Sequence, residues 1–194
     1  MLRKSTIGFC SLTAILFAGL LSGATAGAET PGPAASQSDK SWCAAKGGKA
    51  IDYSPWANTN YTPVRLGGRF TMCDFTDKKE QTTITVSADS LAADEPTLAA
   101  LAYTFKPQKP PSTGGENPAD DYCVKLGGAV QFGANPSDVG GWAPSSQKEP
   151  TEFAGMCVFA DRSMIDSWGL FYHLNGVIRG ADLTGKWKAT MPVR

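Results

Sequence analysis

A cysteine pattern that occurs twice constrains this chain more than any other feature. In the first copy, Trp42-Cys43-Ala44-Ala45-Lys46-Gly47-Gly48 is followed later by Thr71-Met72-Cys73-Asp74-Phe75-Thr76-Asp77. In the second, Tyr122-Cys123-Val124-Lys125-Leu126-Gly127-Gly128 is followed by Gly155-Met156-Cys157-Val158-Phe159-Ala160-Asp161. Aromatic, Cys, Gly-Gly, Met, Cys, Phe and Asp recur in one order at similar offsets, which reads as a tandem duplication. The pairing that respects the duplication is Cys43 with Cys73 and Cys123 with Cys157. Each bridge closes a loop of 30 or 34 residues, for which the chain-entropy model gives roughly 3 to 4 kcal/mol. For units of this size that is a large share of the stability. A zinc site built from the four thiols would call for close Cys-x-x-Cys pairs, and none occurs here.

Disulfides imply an oxidising compartment, and the N-terminus agrees. Arg3 and Lys4 precede an apolar run from Ile7 to Leu21 that ends in small residues around Ala24 to Ala28, the pattern of a secretory signal peptide over 1–28. The run is too short for a membrane span. Cys10 follows Phe9 inside it, which is not the setting of a lipidation site, so no lipid anchor is expected. Removing Arg3 and Lys4 leaves a net charge of about −2 from a balanced 18 basic and 18 acidic residues. With no basic cluster, nucleic acid is a poor partner.

Local signals then predict an α+β fold: a tandem pair of helix, three-stranded antiparallel sheet, helix units, one disulfide each. Residues 29–40 read as a flexible lead, 41–106 as the first repeat, 107–116 as a Pro/Gly linker, 117–183 as the second repeat and 184–194 as a C-terminal segment. A first helix through Trp42 and Cys43 should stop at Gly47-Gly48. Its counterpart is signed by Asn117 as cap, Pro118 at the first position, and Asp120 and Asp121 in the first turn. Strands are expected at Lys49 to Tyr53 and Ala129 to Phe132, at Cys73 and Phe75, and at Phe153, Cys157 and Phe159. A further one is expected at Thr82 to Val86. Closing helices are predicted at about Pro96 to Tyr103 and Asp166 to Leu174, and the alternation of Lys186 to Val193 suggests a final strand.

The second repeat resembles a known family. Asn117-Pro118-Ala119, Tyr122-Cys123, Gly127-Gly128, Gly155-Met156-Cys157-Val158-Phe159 and Ile165-Asp166-Ser167-Trp168-Gly169-Leu170 are similar to the small domain of unknown function called DUF333, a group also labelled hemolysin. Ala160-Asp161-Arg162 stands where the family turn has Pro-Asp-Gly, Ser167 replaces a Glu, and Ile165 stands where some members have a further cysteine. The likeness covers 117–176, and 41–105 keeps only the Cys, Gly-Gly and Cys-x-Phe skeleton. It implies a bacterial periplasmic or secreted module and carries no catalytic residues. Lysis would need a long amphipathic or spanning segment that the chain lacks.

Catalytic signatures are sparse. His173, the only histidine, reads as an ordinary helix residue rather than a base. Asp74, Asp77, Asp161 and Asp166 could supply a paired-carboxylate hydrolase, yet turn and capping roles account for Asp77, Asp161 and Asp166. No metal or cofactor is expected, nor an enzyme. The long connections hold Tyr53, Trp56, Tyr61 and Trp142 among Gly, Pro and Asn, the composition of a contact loop, because a Trp or Tyr contributes large area at low entropic cost. Those four are the candidate binding residues of a monomeric envelope module that contacts a protein or glycan. Trp56 and Trp142 folding back over small cores is the competing reading, and Trp42 and Trp168 are assigned to the core. A structural envelope protein without a ligand is the alternative function, and an envelope hydrolase the third.

Overall fold

The computed structural model describes residues 35–107, 117–130 and 140–193. The expected signal peptide, the first half of the lead (29–34), all but Pro107 of the linker, and the Gln131 to Phe132 end of one strand lie outside these residues.

The duplicated motif folds the same way twice. Helix α1 (Gln37–Ala45) starts inside the lead expected to be flexible, because Ser36 and Asp39 form a reciprocal capping box. After it come β1 (Lys49–Ala57), β2 (Val64–Arg65), β3 (Phe70–Asp77), β4 (Thr82–Ser87), α2 (Ala88–Leu91) and α3 (Leu98–Phe105). The second copy brings α4 (Pro118–Lys125), β5 (Gly141–Pro144), β6 (Met156–Val158), β7 (Met164–Asp166) and α5 (Ser167–Leu174). Asn117 caps α4 and Asp166 caps α5, each accepting from backbone N–H groups of its helix.

Both disulfides form, Cys43 with Cys73 and Cys123 with Cys157, with Cα separations of 5.7 and 5.5 Å. The Gly-Gly pair has two separate causes. Gly47 and Gly127 both sit at φ 84°, the left-handed conformation that ends a helix. Gly48 and Gly128 instead lie against the bridges. A Cβ on Gly128 would stand 2.5 Å from Cys157 Sγ, and one on Gly48 would collide with Cys73 Sγ.

Both copies build one antiparallel sheet, in the order β2-β1-β3-β4-β7-β6. They meet edge to edge at β4 and β7, where Val86 faces Ile165. On either side the rows match: Ala50, Cys73 and Val86 lie opposite one another on one side, Ile165 and Cys157 on the other, with Ala129 bridged to Val158 beyond. The duplication is therefore visible as an approximate two-fold about the β4–β7 pair. Helix α1 packs on α2 as α4 packs on α5, so the counterpart of α5 is the short α2. The sequence indicated α3 for that role because α2 carries only four residues.

Strand β5 breaks this symmetry. It crosses to pair with the far half of β1, Trp56 opposite Gly141 and Pro55 opposite Trp142, and Trp142 also exchanges both backbone hydrogen bonds with Ala154, just before β6. The sheet thus curls until its ends meet. Period-two alternation assigns its faces. Cys73, Phe75, Ile84, Val86, Cys157 and Ile165 point outward into one core shared with the helices. Tyr53, Met72, Trp142, Met156 and Met164 cluster inside.

The closing segment is not the final strand its alternation suggested. It wraps back over the first copy as turns, burying Leu183 and Trp187. The Lys188 N–H donates to Leu91 O, and the Trp42 indole donates to Lys186 O. Its alternating residues seat on helices rather than on a strand edge.

Candidate functional site

Alternation along β3 and β4 places Asp74, Thr76, Thr83 and Thr85 on the inner face, opposite Cys73, Phe75, Ile84 and Val86. Methionines pack one end of the interior. The other end is a cleft of about 480 Å³, where those four residues meet Tyr53 from β1, Trp142 from β5, Asp166 from β7, Trp168 from α5, Arg179, and the 151–155 segment.

Its carboxylates, Asp74 half-buried and Asp166 buried, are held by the fold. Asp74 accepts from the Tyr53 hydroxyl at 2.9 Å and, on its other oxygen, from the Thr85 hydroxyl at 2.8 Å. Burial nevertheless outweighs both bonds and pushes its pKa up. Asp166 accepts from the Trp168 N–H at 3.0 Å as the cap of α5. Burial raises it to about 6, a shift that Arg179 and the helix N–H groups oppose and Asp74 reinforces. Tyr53 is pushed well above the ordinary phenol range, first by burial and then by Asp74.

A second cleft of about 320 Å³ adjoins the first and shares Thr151, Phe153, Gly155 and Trp168 with it. Its far side carries Asn60, Asn117 and Asp120. Asp120 accepts from Asn117 Nδ2 at 2.8 Å and from the Ser167 hydroxyl at 3.4 Å, and burial raises its pKa. Trp168, half-buried at the junction, is braced by Tyr172 at 5.7 Å and Phe171 at 6.1 Å between ring centroids.

The four aromatic candidates separate. Tyr53 and Trp142 line the main cleft. Trp56 and Trp142 are 6% and 4% exposed and sit on paired strands rather than loops, because β1 runs past Tyr53 to Ala57 and recruits β5. Trp56 packs on Phe153 at 5.8 Å. Tyr61, 71% exposed, stands outside both clefts. Trp168, assigned to the core, is instead a wall shared by both. The cap role of Asp166 holds, yet that residue also lines the cleft. His173 is buried at 4% exposure and stacks on Tyr103 at 3.6 Å, away from the clefts. Thr76, Thr83, Thr85 and Arg179 carry no motif in the sequence that marks them as site residues. The available signal was the polar half of the β3 and β4 alternation, which marks a wet inner face.

Among the described residues no three His, Cys, Asp or Glu side chains converge as a metal would need, and no helix is long and apolar enough to cross a membrane. No family model, curated protein or solved structure matches the chain.

Proposed function

We propose that the protein is a non-catalytic binding module of the bacterial cell envelope, exported and monomeric, whose ligand enters the open end of the curled sheet. The observation that carries this reading is the cleft: strands from both repeats converge on a polar hollow of about 480 Å³, within the size range of small-ligand sites. Asp74 and Asp166 fit such a site as oriented acceptors, their oxygens fixed by bonds from Tyr53, Thr85 and the start of α5. The disulfides favour export, and the resemblance of 117–176 to DUF333 adds the envelope setting. The aromatic contact residue becomes Trp168, with the buried Tyr53 and Trp142 lining the cleft beneath it.

The test immobilises residues 29–194 with both bridges intact and exposes them to envelope extract and peptidoglycan, beside Trp168→Ala and Tyr61→Ala variants. One component should be retained by the parent and by Tyr61→Ala but not by Trp168→Ala. Retention indifferent to Trp168, or none at all, would favour a structural envelope protein.

One observation favours a second reading. A carboxyl with a pKa of about 6 in a cleft beside another carboxylate is placed for acid–base work. A hydrolytic activity lost in Asp166→Asn, with stability intact, would establish that reading.

A further inference from the structure

We infer that the ligand is an uncharged glycan chain of several sugar units, running from the main cleft past Trp168 into the second cleft. This inference rests on the binding-module reading and adds the ligand class. Three features point to it.

The first is the hydrogen-bonding inventory. Thr76, Thr83, Thr151 and Gln147 offer groups that both donate and accept. Sugar hydroxyls do the same, so a ring placed among them finds partners in either sense. Thr76 and Thr83, on neighbouring β3 and β4, already make an exposed bond to each other at 2.9 Å, a pair that a vicinal diol can bridge.

The second is charge. The main cleft carries Asp74, Asp166 and Glu152 against Arg179, and the second carries Asp120. An anionic ligand would meet like charge in both, which costs affinity. A basic peptide would meet carboxyls whose charged form burial disfavours, and whose oxygens are oriented by bonds from Tyr53, Thr85, the Trp168 N–H and Asn117 while each keeps a second lone pair. They serve better as fixed acceptors for neutral hydroxyls, with Arg179 as the complementary donor. Arg179 is itself steadied over the Tyr172 ring at 5.5 Å.

The third is the placement of the aromatics. Trp168 and Phe153 line both clefts, and so stand where the two join. A sugar offers an apolar C–H face that an indole ring can cover, while its hydroxyls point sideways to the polar walls. An apolar peptide would need a continuous greasy strip, which these polar walls do not provide. Because the clefts share Thr151, Phe153, Gly155 and Trp168, a chain lying on Trp168 extends naturally into both.

The test is isothermal titration of the disulfide-intact protein with β-1,4-linked glucose and N-acetylglucosamine oligomers of increasing length, beside a polyuronate and a lysine-rich peptide. Affinity for one neutral series should rise with length until both clefts are filled. Trp168→Ala should weaken it at least about tenfold, the scale of a lost aromatic contact, and Trp168→Phe should restore part of the loss. Asn60→Ala, in the second cleft, should affect only the longer oligomers. A melting curve for each variant separates lost binding from lost folding. Tighter binding of the polyuronate, or no binding of either neutral series, would overturn the inference. If the peptide binds in a Trp168-dependent way instead, the glycan assignment falls and the binding module stands. If nothing binds and envelope extract leaves nothing on the parent protein, both fall.

Discussion

At the scale of single residues, Asp166 carries two roles that a substitution can separate. It caps α5, and it holds a carboxyl whose charge is disfavoured by burial. A raised folded pKa means that its favourable contribution is complete below the ordinary value of 3.8 and is lost as pH rises through about 6. Asp166→Asn keeps a capping acceptor and removes the charge. Its predicted effect is a gain of roughly 2 kcal/mol at pH 7.5 that shrinks toward pH 4, measured by denaturant unfolding across that range. A loss at pH 7.5 would show that the Arg179 attraction dominates. His173 runs the other way. Burial against Tyr103 lowers its pKa below 6.5, so its contribution is present above 6.5 and lost as pH falls through the folded value. His173→Phe should keep the stack and remove that acid sensitivity, visible as a flatter stability profile below pH 6.5. The glycine pairs give a sharper contrast. Gly47→Ala meets only the left-handed backbone and should cost about 1 kcal/mol. Gly48→Ala drives a methyl into the bridge sulfurs and should cost about 2 kcal/mol or more, as overpacked cores do.

At the scale of elements, the helices were legible because their ends carry chemistry of their own. Asn117 with Pro118, Asp166, and the glycine pairs mark boundaries locally, and the structure places α1, α4 and α5 by them. The strands were half legible. Cys73 and Phe75 announce the outward face of β3, but the inner face of Asp74 and Thr76 reads as ordinary solvent exposure until the sheet is known to curl. What the sequence does not carry is β5, four residues with Gly and Pro at its ends whose strand character comes from pairing with β1. That long-range pairing turns Trp56 and Trp142 from apparent loop residues into core. Trp56→Ala with Trp142→Ala should therefore cost several kcal/mol, at about 3 to 5 kcal/mol for a buried Trp, and lower the melting temperature by many degrees. A double variant that melts like the parent would return both residues to the surface.

At the scale of the whole molecule, the duplication has become one structure rather than two beads. The β4–β7 contact, the crossing of β5 to β1 and the return of the 175–193 segment over α2 and α3 tie the copies together, and one core runs through both. Unfolding should be a single cooperative transition. Replacing Cys123 and Cys157 by Ser should lower its midpoint as one step, by the roughly 3 to 4 kcal/mol that one bridge of this loop length contributes. Two separated transitions in calorimetry would mean independent units. The joining of the copies also makes the cleft, since neither repeat supplies both Asp74 and Asp166. If that cleft is the binding surface, amide chemical-shift mapping during titration with the neutral oligomer series shows it most directly. The predicted outcome is a set of shifted amides at residues 74–76, 83–85, 151–155 and 166–168, joined by 59–60 and 117–120 once the oligomer is long enough to fill the second cleft. Shifts centred on α1, α2 and α3, or none at saturating oligomer, would contradict it.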